Sequence, residues 1–306
     1  MKTLILAGCG TALVTPFRTN LSIDEKALRQ LVDRQIDASI DFLVPCGTTG
    51  ESPTLSHKEH KRVVEIVIEQ AAGRVPVIAG TGSNSTAEAL DLTRHAKAAG
   101  ATGCLVVSPY YNKPTQNGLL AHFNVIADVG LPVIIYNIPG RTGVNITPET
   151  MTKLTEHPNI VGIKEATGNL EQMTQDILLC GERATYLSGD DTLTVPLMSI
   201  GGHGVISVIS NLVPRETTEM VHAALDGDWT RARETHLRLF PLCRAMFLET
   251  NPIPVKAAMA MMGLLEPAWR LPMTPPTKAS AFTIEAQMRK AGLEISIPAA
   301  ELFAST

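Results

Sequence analysis

The chain has 306 residues, of which 44% are hydrophobic, 18% charged and 4% aromatic, enough apolar material for one large α/β barrel or for two ordinary domains. Lys and Arg number 26 against 30 Asp and Glu, a net charge of −4 with no basic block. Nucleic acid and anionic membrane surfaces are therefore excluded as expected partners.

The five cysteines (Cys9, Cys46, Cys104, Cys180 and Cys243) are scattered, odd in number and without a CxxC pair. They read as small buried hydrophobes in a reducing compartment, not as disulfides or zinc ligands. The opening run MKTLILAGCGTALVTPF has a signal-like apolar stretch, but a brief one that passes straight into a strand pattern. No run of about 18 apolar residues occurs, so no membrane span is expected and the default location is the cytoplasm.

In chain order, short apolar, β-branched runs alternate with helix-period segments. A strand at Thr11–Thr15 precedes a helix at Ile23–Ala38. Phe42–Pro45 precedes Ser56–Ala72, Val75–Ala79 precedes Ser85–Ala99, and Gly103–Val107 precedes Gln116–Val129. The later units are Pro132–Tyr136 with Pro148–Glu156, Ile160–Lys164 with Gly168–Cys180, Thr185–Leu187 with Asp191–Ile200, and Gly204–Ile206 with Val213–Leu225. Ser56 followed by Glu59, and Thr147-Pro148-Glu149, carry helix-start chemistry. Eight such units predict a (β/α)8, or TIM, barrel in the α/β class, because strands this short and continuously apolar suit a parallel sheet buried on both faces. An open doubly wound sheet is the runner-up, without a nucleotide fingerprint after the first strand.

Helix-period segments continue at Trp229–Glu249, Val255–Gly263 and Ala279–Lys290, punctuated by prolines. They predict a C-terminal helical domain over residues 227–306 behind a barrel over residues 1–226. The end, PAAELFAST, reads as a loosely held tail. Met259, Met261 and Met262 read as core filling.

Working residues of such a barrel stand at the C-terminal ends of its strands. The sixth strand ends NIVGIKEA, and period-two alternation puts Gly162 and Lys164 on one face. A buried amine there is depressed in pKa and nucleophilic, as imine formation with a ketone requires; an equally open reading pairs Lys164 with a carboxylate such as Glu165. The fifth strand leads into YNIPGRTG, where Tyr136 suits proton transfer and Arg141 offers a planar fork for a carboxylate. Taken singly, Tyr136 is more simply a packed rim aromatic and Arg141 a solvated loop charge. GTTGES after the second strand places two hydroxyls, Thr48 and Thr49, at the mouth, or is a plain tight turn. The fourth strand ends with Tyr110 and Tyr111 side by side, pointing apart. GGHGVIS and AGTGSNS match no phosphate fingerprint in full. His57 and His60 are three apart on a helix start, more simply a polar face than metal ligands, and no metal is expected.

Together GTTGES, AGTGSNST, SPYYNKPTQNG, YNIPGRTG, GIKEATGN, LSGDD, GGHGVISV and NPIPVK resemble the dihydrodipicolinate synthase family over roughly Gly8 to Gly292. The resemblance implies a (β/α)8 barrel with a C-terminal helical domain, assembled as a homotetramer of two tight dimers. It implies Lys164 as the Schiff-base lysine for pyruvate and Tyr136 as proton donor and acceptor. Thr48 and Tyr111 complete a relay, Tyr111 reaching in from a partner subunit. Thr49, Ile206 and Gly189 line the pyruvate site, and Arg141 holds the carboxylate of L-aspartate 4-semialdehyde. The implied product is 4-hydroxy-tetrahydrodipicolinate, in diaminopimelate and lysine biosynthesis, with no cofactor. A feedback site for L-lysine is implied at Ser52, Leu55, His57, His60, Asn84, Glu88 and Tyr110, with Pro53 where some relatives have alanine.

Two other functions compete. Sialic acid or keto-deoxy-sugar lyases share the lysine and tyrosine, but generally lack an arginine at the position of Arg141. A catalytically silent regulator binding pyruvate-like acids or lysine is the other, although such a paralogue is expected to lose one of Thr48, Tyr111, Tyr136 and Lys164.

Overall fold

The structure, a computed structural model, describes residues 6–303; residues 1–5, the start of the signal-like run, lie outside it. Eight parallel strands run β1 (Gly8–Ala12), β2 (Phe42–Val44), β3 (Ile78–Gly80), β4 (Gly103–Val107), β5 (Val133–Asn137), β6 (Ile160–Glu165), β7 (Thr185–Ser188) and β8 (Gly204–Ser207). Their order is β2-β1-β8-β7-β6-β5-β4-β3, and a parallel bridge between Leu43 and Val77 joins the two ends into a nearly closed barrel. The helices between strands are α1 (Glu25–Asp37), α2 (His57–Ala71), α3 (Thr86–Ala99), α4 (Gln116–Ala127), the short α5 (Pro139–Thr142), α6 (Pro148–Leu154), α7 (Leu170–Cys180), α8 (Thr194–Ser199) and α9 (Pro214–Leu225). Behind them come α10 (Trp229–Ala245), α11 (Ile253–Met261), α12 (Lys278–Lys290) and α13 (Ala299–Leu302).

Alternation along each strand sorts side chains into two cores. Ala12, Phe42, Val44, Ile78, Leu105, Ile134, Leu187 and Ile206 fill the barrel, whereas Cys9, Leu43, Ala79, Val106, Ile135, Ile163 and Val205 pack under the helices. Gly10 is small because the Phe42 ring lies across it: a Cβ there would stand 2.0 Å from that ring. All five cysteines are free and buried.

Helix α2 starts on the expected capping box, Ser56 and Glu59 each satisfying the other's backbone amide. Thr147 likewise caps α6 from the residue before Pro148. Two expected bounds shift, β3 starting at Ile78 rather than Val75 and the helix from Trp229 ending at Ala245 rather than Glu249, and three further expectations need correction. The first strand begins three residues earlier than Thr11 and ends at Ala12, because its pairing with β8 sets in at Gly8. The helix expected at Asp191–Ile200 is a 3-10 turn over Asp191–Leu193 followed by α8, since Asp190 caps the turn and Pro196 lies in the first helical turn of α8, where its missing N–H costs nothing. The tail is not loose as far as Phe303: that ring is 2% exposed and lies 6.1 Å from the Trp269 ring, while Ala299 donates its N–H to Glu285. Residues 304–306 lie outside the described range.

The C-terminal helices share a third core with Val14, Val208, Ile209 and Leu212 from the barrel loops. Met259 and Met261 are buried in it, as expected.

Candidate active site

Lys164 is the second-last residue of β6, in register with Tyr136 on β5 and Leu187 on β7, all three turned into the barrel. Its Nζ lies 4.2 Å from the Tyr136 ring centroid, and the residue is 6% exposed. Burial lowers its pKa to about 7; the charge of Asp191 opposes that shift, and that of Arg141 adds to it. The amine is thus largely neutral a little above neutrality. Glu165, the carboxylate weighed as its partner, belongs to another network: it accepts from the Thr167 N–H at 2.6 Å and from Asn137 Nδ2 at 3.2 Å. Lys164 takes part in no ion pair among the described residues.

Gly189 must be small. A Cβ there would stand 3.1 Å from Lys164 Cε and 2.9 Å from Ala166 Cβ. Ile206, 1% exposed on β8, packs in the same barrel interior as Tyr136 and Leu187. Burial pushes the Tyr136 phenol up, partly offset by the nearby Arg141 charge. Its proton therefore stays on oxygen until a neighbour takes it.

Arg141 stands on α5, exposed at the mouth, and donates to the Asn251 carbonyl at 3.1 Å. Thr49 is buried and accepts a hydrogen bond from Asn251 Nδ2 at 3.0 Å; Thr48, next to it, is half-buried. No hydrogen bond joins Thr48 or Tyr111 to Tyr136 within the described chain. Tyr111 is 90% exposed at φ 72°, held off the surface of its own barrel.

A second set converges nearby. Ser52, Pro53, Leu55, His57, His60, Glu88 and Tyr110 line a cavity of about 470 Å³ between α2 and α3. Asn84 is not among the lining residues, and its carbonyl accepts from Asn112 Nδ2 at 2.9 Å. Glu88 accepts from the Ser83 hydroxyl, which holds its carboxyl below the usual range, and touches His57 Nε2. Burial lowers His60 to about 4, so its imidazole is neutral at pH 7. An anionic carboxylate beside neutral polar groups favours a cationic guest.

Sequence reasoning missed Asn251, Asp191, Glu51 and Lys256. Asp191 is buried, accepts from the Val208 and Ile209 amides at 2.9 and 3.1 Å, and places its charge near Lys164. Lys256 is fully buried against Glu51. A lone lysine in the apolar run IPVKAAMAMM was the available signal for it, since such a charge survives only with a partner.

Residues 5–291 match the family described as the dihydrodipicolinate synthetase family. A 4-hydroxy-tetrahydrodipicolinate synthase from Pelobacter propionicus is 54% identical over 287 residues, 94% of this chain and 99% of that one. The dihydrodipicolinate synthase of Acinetobacter baumannii, complexed with pyruvate, superposes with a TM-score of 0.93 at 41% identity, covering 95% of this chain and 100% of that one. The enzyme from Cyanidioschyzon merolae with lysine bound gives 0.91 at 42% identity, covering 94% and 99%. With its barrel, its strand-end lysine and these relatives, the chain belongs to the dihydrodipicolinate synthetase family.

Proposed function

We propose that this chain is a 4-hydroxy-tetrahydrodipicolinate synthase, a lyase that condenses pyruvate, held as a Schiff base on Lys164, with L-aspartate 4-semialdehyde in the diaminopimelate route to lysine. The observation that carries the reading is the buried, depressed Lys164 amine set against Tyr136 at the ends of β6 and β5. Its neutral form attacks the keto carbon of pyruvate, and loss of water gives the imine. Tyr136 passes the protons. Removal of a methyl proton gives an enamine, whose carbon adds to the aldehyde. Attack by the substrate's own amine then expels Lys164 and closes the ring.

Thr48 and Thr49 supply hydroxyls on the pyruvate side, Gly189 and Ile206 shape that side, and Arg141 takes the carboxylate of the aldehyde. The exposure of Tyr111 supports its completing the relay of a second copy, in a homotetramer of two tight dimers. The barrel, residues 1–226, carries the chemistry, and residues 227–306 form the helical domain. The cavity beside α2 suits the ammonium groups of L-lysine as a feedback inhibitor, in keeping with the lysine-bound relative. The proposed location is the cytoplasm, and no described helix is long and apolar enough to cross a membrane.

Incubation with pyruvate and borohydride, followed by peptide mapping, tests the reading. A single adduct on Lys164 is expected; no adduct, or one elsewhere, refutes it. Turnover with aspartate semialdehyde but not with sugar-derived aldehydes separates it from the sugar lyases.

A further inference from the structure

Besides Lys164, one other described lysine is buried: Lys256 on α11, with its ammonium against the Glu51 carboxylate. Neither side chain is more than 1% exposed. Phe17 backs the pair. Its ring centroid lies 4.4 Å from Lys256 Nζ and 4.2 Å from the Arg270 guanidinium carbon. Arg270 in turn grips Glu59 with both terminal nitrogens and donates to the Thr54 carbonyl at 2.9 Å.

Glu51 is placed to govern the turn that carries the two threonines. It sits three residues after Thr48 with φ 54°, a conformation unusual for a side chain larger than glycine. Its N–H donates to the Thr48 carbonyl at 3.1 Å, and its own carbonyl accepts from the Thr54 N–H and hydroxyl, each at 3.0 Å. The turn is closed on itself and fastened at its midpoint to the C-terminal helices. Asn251, five residues before Lys256, fastens Thr49 as well.

A buried ion pair is a weak device for stability, because losing water from two charges offsets their attraction and an apolar pair of like volume does as well. What such a pair supplies is direction and distance. We propose that Glu51 and Lys256 form a positioning pair, by which the C-terminal helices set the placement of Thr48 and Thr49 and hence the proton-transfer steps that follow imine capture. The proposal rests on the reading of Thr48 as part of the relay. Glu51 and Lys256 meet each other and the turn rather than Lys164, whose amine feels the charges of Asp191 and Arg141, so the imine-forming group stays in place.

Two variants test it in the full chain. Glu51→Asp keeps both charges but withdraws the carboxylate by one methylene, so the pair closes only if the turn shifts. The double variant Glu51→Gln with Lys256→Met removes both charges at nearly constant shape and leaves no stranded charge. Borohydride with pyruvate counts the competent Lys164 sites per chain, and turnover is then expressed per labelled site. Both variants are expected to label as fully as the unaltered protein at saturating pyruvate, while kcat per labelled site falls at least about tenfold, within the roughly hundredfold that a misplacement of about 1 Å can cost. A purely structural role removes labelled sites and activity in step. That result, or an unaltered kcat per site in Glu51→Asp, overturns the proposal. Absence of labelling in the unaltered protein refutes the imine reading itself, and this proposal with it.

Discussion

The depressed pKa of Lys164 has two measurable consequences, one kinetic and one thermodynamic, from the same burial. An amine titrating at about 7 is roughly 90% neutral at pH 8, whereas at its ordinary 10.5 it is about 0.3% neutral, a gain of about 300-fold in nucleophile. The rate of pyruvate capture, followed by borohydride trapping, is therefore expected to rise with a midpoint near pH 7 and level off above 8. The folded chain releases this proton near pH 7, but the unfolded chain keeps it until about 10.5. Unfolding between those values takes up a proton, so stability rises with pH across that window. Below pH 7 the burial penalty stands in full; above 10.5 it is gone. Lys164→Met, apolar and similar in length, abolishes capture and removes the penalty, for a gain of roughly 3 kcal/mol at pH 8 that shrinks toward zero by pH 10.5. Urea unfolding of both proteins at several pH values measures the difference. A capture midpoint above pH 9, or a stability difference flat between pH 7 and 10, refutes the reasoning.

Other substitutions separate the remaining roles. Gly189→Ala puts a methyl 3.1 Å from Lys164 Cε and is expected to slow pyruvate capture at least about tenfold in a folded chain; unaltered capture means the strand ends give way freely. Arg141→Lys keeps the charge but loses the planar fork, so the KM for aspartate semialdehyde rises about tenfold while pyruvate labelling holds, and a change confined to pyruvate contradicts that assignment. Glu88→Ala empties the anionic wall of the cavity and is expected to raise the lysine concentration for half-inhibition at least about tenfold, with kcat unmoved in the absence of lysine. Asp176 is buried with neither carboxylate oxygen hydrogen-bonded, and burial raises it to about 7. Being protonated in the fold but ionised in the unfolded chain between about pH 4 and 7, it loses stability for the protein as pH rises through that window. Asp176→Asn is therefore expected to stabilise above pH 7, with the gain fading by pH 4. A gain that is constant with pH speaks against this.

The barrel was legible because each unit announces itself locally. Short runs such as GCLVV and VIIYN cannot be amphipathic, so they must be covered on both faces, and the helices between them carry their own caps at Ser56 and Thr147. Strand alternation alone aimed Lys164 inward, since a period of two admits no other arrangement once Ile163 packs under the helices. What alternation left open was whether the amine meets a carboxylate. That depended on Glu165 finding Thr167 and Asn137, and on how deeply β6 lies between Tyr136 and Leu187.

The distant partnerships are a different matter. Glu51 and Lys256 are 205 positions apart, and Thr49 and Asn251 are 202 apart. Spacing along the chain carries no trace of such meetings, because they depend on where α11 docks against the loop after β2. The same holds for the cavity: Ser52, His60, Glu88 and Tyr110 come from three successive βα units, and only barrel closure brings their loops around one space. By itself the sequence determined the units, their order and the inward lysine, through periodicity and local capping. Tertiary structure decided the desolvation that lowers the pKa of that lysine and the meeting of the buried charges Glu51 and Lys256, since both are properties of what surrounds a side chain rather than of what precedes it.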